Sequence, residues 1–166
     1  MKKMKNYWSV LLAIMFVFAG CNKNSEEVDV RDPFVGTYDY AAEGEIALSI
    51  VIPGLDPKIP LNTEGIFQIE KLSKKDSVLI SGAFDGYLEP IKAVVKGSQL
   101  ELVENRYNVK GENFEALLTV DNTTASMVKD TLTWKADQVI CTGKVFGIDV
   151  NGNGQVAITA QKKSVK

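Results

Sequence analysis

Apolar and polar residues alternate with a period of two through most of the chain. Phe34, Gly36, Tyr38 and Tyr40 alternate with Val35, Thr37 and Asp39, and Ile46, Leu48, Ile50 and Ile52 share one face of the next run. Phe67 with Ile69, Val78 with Ile80, Ile91 with Ala93 and Val95, and Leu100 with Leu102 continue the pattern. Phe114, Ala116, Leu118 and Val120 follow, then Leu132, Trp134 and Ala136, then Val139, Cys141 and Val145, and finally Val156, Ile158 and Ala160. This period predicts half-buried antiparallel strands, one face on a core and one in water. Segments such as Asn62-Thr63-Glu64-Gly65, Ser73-Lys74-Lys75-Asp76, Lys96-Gly97-Ser98, Asp121-Asn122 and Asn151-Gly152-Asn153-Gly154 predict the reversals between them. The fold class is therefore all-β, an antiparallel meander of about 8–10 strands. Its edges must be hidden by closing an up-and-down barrel or, as the alternative, by stacking two sheets into a β-sandwich. One short helix is expected, from Thr124 to Lys129. The segment from Ile50 to Leu61 holds three of the five prolines, which rules out a central strand there. It is expected as an apolar loop, either packed on its own domain or serving as a lid or docking patch.

The N-terminus breaks the pattern. Met1-Lys2-Lys3-Met4-Lys5 is basic, Tyr7 to Phe18 is apolar but for Ser9, and the run closes on Phe18-Ala19-Gly20-Cys21. These are the parts of a secretory signal. The apolar run is too short to span a bilayer, which takes about 20 residues. The ending resembles the lipobox of bacterial lipoproteins, which implies lipidation of Cys21 after cleavage before it. Residues 1–20 are then a lipoprotein signal peptide, 21–32 an acidic tether and 33–166 the β-domain. Ser25, Glu26 and Glu27 resemble the short acidic signal by which some Gram-negative bacteria place lipoproteins on the outer face of the outer membrane. The expected location is thus the outer membrane, lipid-anchored and exposed at the cell surface, with its periplasmic face as the alternative.

Composition narrows the function. The first 20 residues carry Lys2, Lys3 and Lys5 and no acid, so cleavage moves the net charge from −2 to −5. Such a chain offers no basic stripe for nucleic acid. It contains no histidine, which removes the usual general base, the Ser-His and Cys-His pairs and the commonest metal ligand. No enzyme activity and no cofactor are expected. Cys21 and Cys141 are the two cysteines. Lipidation of Cys21 precludes a bond between them, and Cys141 reads as a small buried hydrophobe.

Asp32-Pro33-Phe34-Val35-Gly36-Thr37-Tyr38 resembles the start of the lipocalin-like domains found in bacterial surface lipoproteins, where Gly-x-aromatic opens the first barrel strand. The later runs at Ser77–Gly82, Val94–Leu100 and Gly154–Ala160 agree in kind, as a mid-barrel strand, a hairpin and a closing strand. The resemblance implies a lipocalin-like barrel over residues 33–163. It departs from the main pattern at Tyr38, where the family usually has tryptophan. No arginine stands near the C-terminus to cover that aromatic; Lys162, Lys163 and Lys166 stand there instead, so the usual lock is absent or rebuilt.

Several residues are candidates for chemistry. Tyr38, Tyr40, Phe67, Phe114 and Trp134, with Phe146, either fill such a barrel or line a cavity for a small apolar ligand. Asp149, Asn151 and Asn153 match the first half of a calcium loop but lack its closing glutamate, Ala160 standing there, and the same stretch is a good hairpin turn. Ser77 and Thr131 are the central residues of the triplets Asp76-Ser77-Val78 and Asp130-Thr131-Leu132, at expected turn-to-strand junctions, and resemble O-glycan acceptors. Glu43 with Glu45 and Glu101 with Glu104 read as solvated strand faces rather than a glycosidase pair. The partners expected are the membrane, through the anchor, and a small apolar ligand, or else a glycan or an envelope protein.

Overall fold

The computed structural model describes residues 28–49 and 56–164, and throughout them the alternating runs are antiparallel strands. In chain order they are β1 (Gly36–Leu48), β2 (Lys58–Pro60), β3 (Thr63–Lys71), β4 (Ser77–Ser81), β5 (Ile91–Lys96), β6 (Gln99–Leu102), β7 (Arg106–Lys110), β8 (Phe114–Val120), β9 (Thr124–Val128), β10 (Thr131–Val145) and β11 (Ile148–Lys162). Three pairs of these are single strands interrupted once. Pro60 lies opposite Glu45 and Thr63 opposite Ala42, so β2 and β3 keep one register along β1 across Leu61 and Asn62. Glu101 lies opposite Thr124 and Arg106 opposite Thr119, so β6–β7 and β8–β9 run as one hairpin. Along β10, Val120 faces Val139 and Val128 faces Thr131, again in one register.

Counted this way there are eight strands, each paired with the next, and β11 closes the ring by pairing with β1 from Tyr38↔Lys162 to Leu48↔Gly152. The result is a closed, up-and-down antiparallel barrel of the lipocalin-like kind, and the sandwich alternative is set aside. β2 pairs with β1, and its other side has no strand among the described residues, an edge position that suits Pro57 before it and Pro60 within it.

The interruptions lie on one belt around the barrel. Gly44 and Ala136 both face Val156, the β10 bulge falls between Ala136 and Val139, and Thr123 accepts a bond from the Leu102 N–H. Asparagines repair the ladder there. Asn62 Oδ1 accepts the Gly44 N–H (3.1 Å), while Asn122 Oδ1 accepts the Thr124 N–H (2.9 Å) and its Nδ2 donates to the Lys135 carbonyl (2.7 Å). Asn62-Thr63 and Asp121-Asn122 therefore interrupt strands; they do not reverse the chain as their composition led one to expect.

Two further expectations are corrected. Thr124–Val128 is a strand, not a helix: Ala125 and Met127 point inward, and the segment is paired on both sides, by β6 and β10. Pairing on both edges overrides local preference. Asn151–Gly154 lies inside β11, and the turn is Phe146-Gly147, both left-handed (φ 50° and 77°), the two-residue hairpin geometry that matches strand twist. Gly154 serves close approach instead, since a Cβ there would overlap the Glu45 carbonyl and sit 2.8 Å from Ile46 Cα.

Residues before the barrel are folded too. Asp29 to Phe34 turn beneath one end, so the domain begins before residue 33 and Asp29–Asp32 are not tether. Phe34 is buried, and its carbonyl accepts the Tyr38 hydroxyl (2.7 Å). The Arg31 guanidinium pairs with Asp29 and donates to the carbonyls of Leu72 (2.6 Å) and Lys74 (3.0 Å). Lys162, opposite Tyr38, donates to the Pro33 carbonyl (2.8 Å). A lysine and a preceding arginine thus close this end, where the resemblance implied a C-terminal arginine.

Candidate binding site at the open end

The barrel wall is uneven. β4 and β5 have five and six residues, whereas β1, β10 and β11 have 13 to 15. On the low side the chain from Gly82 crosses the mouth in a 3-10 turn, Ala83–Gly86, and returns along β7 through a bridge between Leu88 and Val109. Phe84, at φ 52°, donates its N–H to the Tyr40 hydroxyl (2.8 Å).

Below the mouth the interior is filled. Tyr38 stacks on Phe67 at 5.1 Å, Phe67 meets Tyr40 at 5.7 Å, and Tyr40 meets Phe84 at 5.8 Å. Around this aromatic column pack Ile69, Val78, Leu100, Met127 and Leu132. Among the described residues, every buried side-chain nitrogen and oxygen has a partner. Three of the five expected lining residues, Tyr38, Tyr40 and Phe67, therefore stand together, as packed core. The other two stand apart. Trp134 is half-buried at the belt, between the two core clusters, and its Nε1 donates to the Asn122 carbonyl (3.1 Å). Phe114 lies on the rim, 36% exposed and 5.9 Å from Tyr87.

Above the column, the inner face of the high wall is apolar and incompletely covered. Val120, Val139, Cys141 and Val150 are buried on it. Leu48, Val109, Ala116, Leu118 and Val145 are half-buried, and Phe114 and Ile148 reach solvent at its lip. The period-two reading had placed Phe114, Ala116 and Leu118 on one face. Val109, Ile148 and Tyr87 join them at this end, and no local pattern marks these three, since the strand lengths that set the rim are a property of the assembled ring. Cys141 is a free, buried thiol whose pKa burial pushes up, as a small core hydrophobe requires.

A second, polar cleft of about 660 Å³ opens where the β6–β7 and β8–β9 breaks coincide, lined by Glu101, Glu104, Arg106, Asp121 and Thr123 among others. Glu101 pairs with Lys96, and among the described residues no acidic group is arranged to hold a metal. Asp149, Asn151 and Asn153 occupy successive outward positions of an extended strand. At roughly 7 Å between alternate residues their oxygens run parallel and do not converge, so the calcium loop is not formed. Ser77 is 8% exposed with its hydroxyl donated to Asp76 (3.0 Å), contrary to the exposed acceptor expected. Thr131 does stand half-exposed at a turn-to-strand junction, bonded to Gln161 (2.8 Å). Glu43 and Glu45 are exposed, Glu45 pairing with Lys58. Cys21, Ser25, Glu26 and Glu27 lie outside the described residues.

Two tyrosines, Tyr38 in the aromatic column and Tyr107 beside it, should make the fold sensitive to alkali. Tyr38 is pushed up from 10.0 to about 12, by burial first and the Asp130 charge second, and Tyr107 likewise to about 12, by burial and then Glu104. Both protons are held more tightly in the folded chain than in the unfolded one. Their contribution is therefore complete below pH 10 and disappears as pH rises toward 12. Urea midpoints should hold level to about pH 9 and fall steeply above 10, and Tyr38→Phe should flatten that fall. A wild-type midpoint unchanged between pH 9 and 11.5 would show that neither hydroxyl is sequestered. No protein-family model matches the chain, and no curated protein is similar enough to it in sequence to be matched.

Proposed function

We propose that this chain is a lipid-anchored lipoprotein of the Gram-negative outer membrane, displayed at the cell surface, whose barrel seats an apolar or amphipathic small molecule at its open end. The observation that carries the reading is the apolar inner wall of β8, β10 and β11 above a filled interior. A ligand there would lie across the mouth, with its apolar part on Ala116, Leu118 and Val145 and its polar part in water. It would not be swallowed, because Tyr40 and Phe84 floor the site. Sites of this kind gain affinity from apolar area and orientation from a few polar groups. The anchor half of the reading comes from the basic, apolar and small-small-Cys segments ending at Cys21, and the surface placement from Ser25-Glu26-Glu27.

The test is native mass spectrometry of protein released from cell envelopes without detergent exchange. Wild type should carry a reproducible adduct. Phe114→Lys with Ile148→Lys, both at the exposed lip, should keep the thermal midpoint within a few degrees and reduce the adduct at least tenfold. Retention of the adduct would place the ligand elsewhere. A clean apo mass across lipid extracts would instead favour a second reading, docking of a glycan or an envelope protein on the exposed rim aromatics Tyr87 and Phe146.

A further inference from the structure

We propose that the closed end of the barrel docks on the headgroups of an anionic phospholipid bilayer, holding the open end away from the membrane. This rests on the lipid-anchor reading and adds the surface and the orientation. The closed end comprises the β3–β4, β5–β6 and β9–β10 turns and the two ends of the described chain, residues 28–36 and 162–164. Across residues 28–36, 71–77, 96–99, 128–131 and 162–164 it carries eight basic residues (Arg31, Lys71, Lys74, Lys75, Lys96, Lys129, Lys162 and Lys163) against four acidic ones (Asp29, Asp32, Asp76 and Asp130). At the opposite end, residues 56–58, 87–90, 110–115 and 144–149 carry Lys58, Lys110 and Lys144 against Asp56, Glu89, Glu112, Glu115 and Asp149. A chain that is acidic overall is thus polarised along the barrel axis, with its excess positive charge at one end.

Three features make that end the one to face lipid. First, the described chain begins there: Val28 directly precedes the Asp29–Arg31 clamp, which is tied to Leu72 and Lys74. Seven peptide units separate Cys21 from Val28, a reach of at most about 25 Å, so an anchored domain cannot turn its far end to the bilayer without laying its side against it. Second, two of the four acids of this end are neutralised within it. Asp29 is held by Arg31 and Lys71 (2.7 and 2.8 Å), and Asp32 by Lys71 (2.5 Å). Third, each of the three hairpins carries a lysine at this end: Lys74 with Lys75 in the β3–β4 turn, Lys96 as the last residue of β5, and Lys129 in a left-handed conformation (φ 55°). Their pairings with Asp76 and Glu101 are exposed ones, which headgroup phosphates readily outcompete.

The lipidated mature protein, extracted from membranes, is reconstituted into vesicles of phosphatidylcholine alone or with about one third phosphatidylglycerol. Vesicles are floated, surface amines are acylated with a membrane-impermeant reagent, and each lysine is quantified by peptide mass spectrometry. In anionic vesicles, labelling of Lys74, Lys75, Lys96 and Lys129 should fall at least threefold, while Lys58, Lys110 and Lys144 stay constant. It should recover in about 0.5 M salt, where screening acts within roughly 4 Å. Equal labelling of both ends in both vesicles would overturn the proposal. So would equal protection of the closed end in zwitterionic vesicles, which is shielding by proximity without charge recognition. An N-terminal peptide without acyl mass, and protein that fails to float, would defeat the anchor reading itself, an outcome distinct from lipidated protein that floats unprotected.

Discussion

Gly154→Ala should lower the unfolding free energy by about 3 kcal/mol and the thermal midpoint by about 10 °C. The reason is the seam that closes the barrel. β1 and β11 pair through eleven residues each, and where Gly154 faces Ile46 the opposing backbone leaves no room for a Cβ. A methyl at Gly154 would overlap the Glu45 carbonyl and lie 2.8 Å from Ile46 Cα, and both are backbone atoms of the opposing strand. A side chain can rotate out of such a contact, but a paired strand has to move as a whole. Overpacking typically costs about 1–3 kcal/mol, and a backbone obstacle places this case at the top of that range. Gly97→Ala is the control. That glycine is left-handed (φ 62°) with open space around it, so only the conformational cost of about 1 kcal/mol applies. Chemical denaturation followed by circular dichroism gives both values. A loss at Gly154 no larger than at Gly97 would mean that the closing strands are not so closely apposed.

Cys21→Ala should abolish incorporation of a labelled fatty acid and move the protein from the detergent-rich to the aqueous phase on phase partition. Lipidated at Cys21 as proposed, the mature chain would hold to the membrane through several acyl chains. A single chain gives only marginal, reversible attachment, and each buried methylene adds about 0.8 kcal/mol. Removal of the thiol that accepts the lipid therefore removes nearly all of the hold. The β-domain should remain intact, because every described contact of the fold lies at or beyond residue 28. Unchanged urea midpoints and alkaline titration would establish that. Acyl label persisting on Cys21→Ala protein would show that the lipid is attached elsewhere or that the segment is not a lipobox.

The class of fold was legible because inward and outward residues alternate so regularly. Ile46 and Leu48, Phe67 and Ile69, and Val156 with Ala160 face the interior as their spacing requires. Breaks were less legible. Asn62 and Asn122 carry the composition of turns, yet here their side chains stand in for missing ladder bonds and the chain runs straight on. The asparagines and glycines of Asn151–Gly154 look like a reversal for the same reason. The glycines are there because a neighbouring strand leaves no room for Cβ, a property of the partner and not of the segment. The aromatic set split for a third reason. Tyr38, Tyr40 and Phe67 were recognisable as inward-facing. Whether they line a void or fill it depended on Phe84, brought over them by a left-handed turn. The rim depended on relative strand lengths, which emerge only once the ring is assembled.

The belt of interruptions also divides the molecule into two parts of unequal cooperativity. Below it, an unbroken ring of ladders surrounds the aromatic column, so no strand there can leave without exposing Tyr38 or Leu100, both fully buried. Above it, β2, β7 and β8 connect to that ring through residues outside the regular ladder, and the smaller core of Ile46, Val139 and Cys141 is shared by fewer strands. Amide exchange should therefore resolve two opening free energies, with the upper half fluctuating while the lower half stays shut. A wall that breathes independently can open and close its inner apolar face without unfolding the ring beneath it.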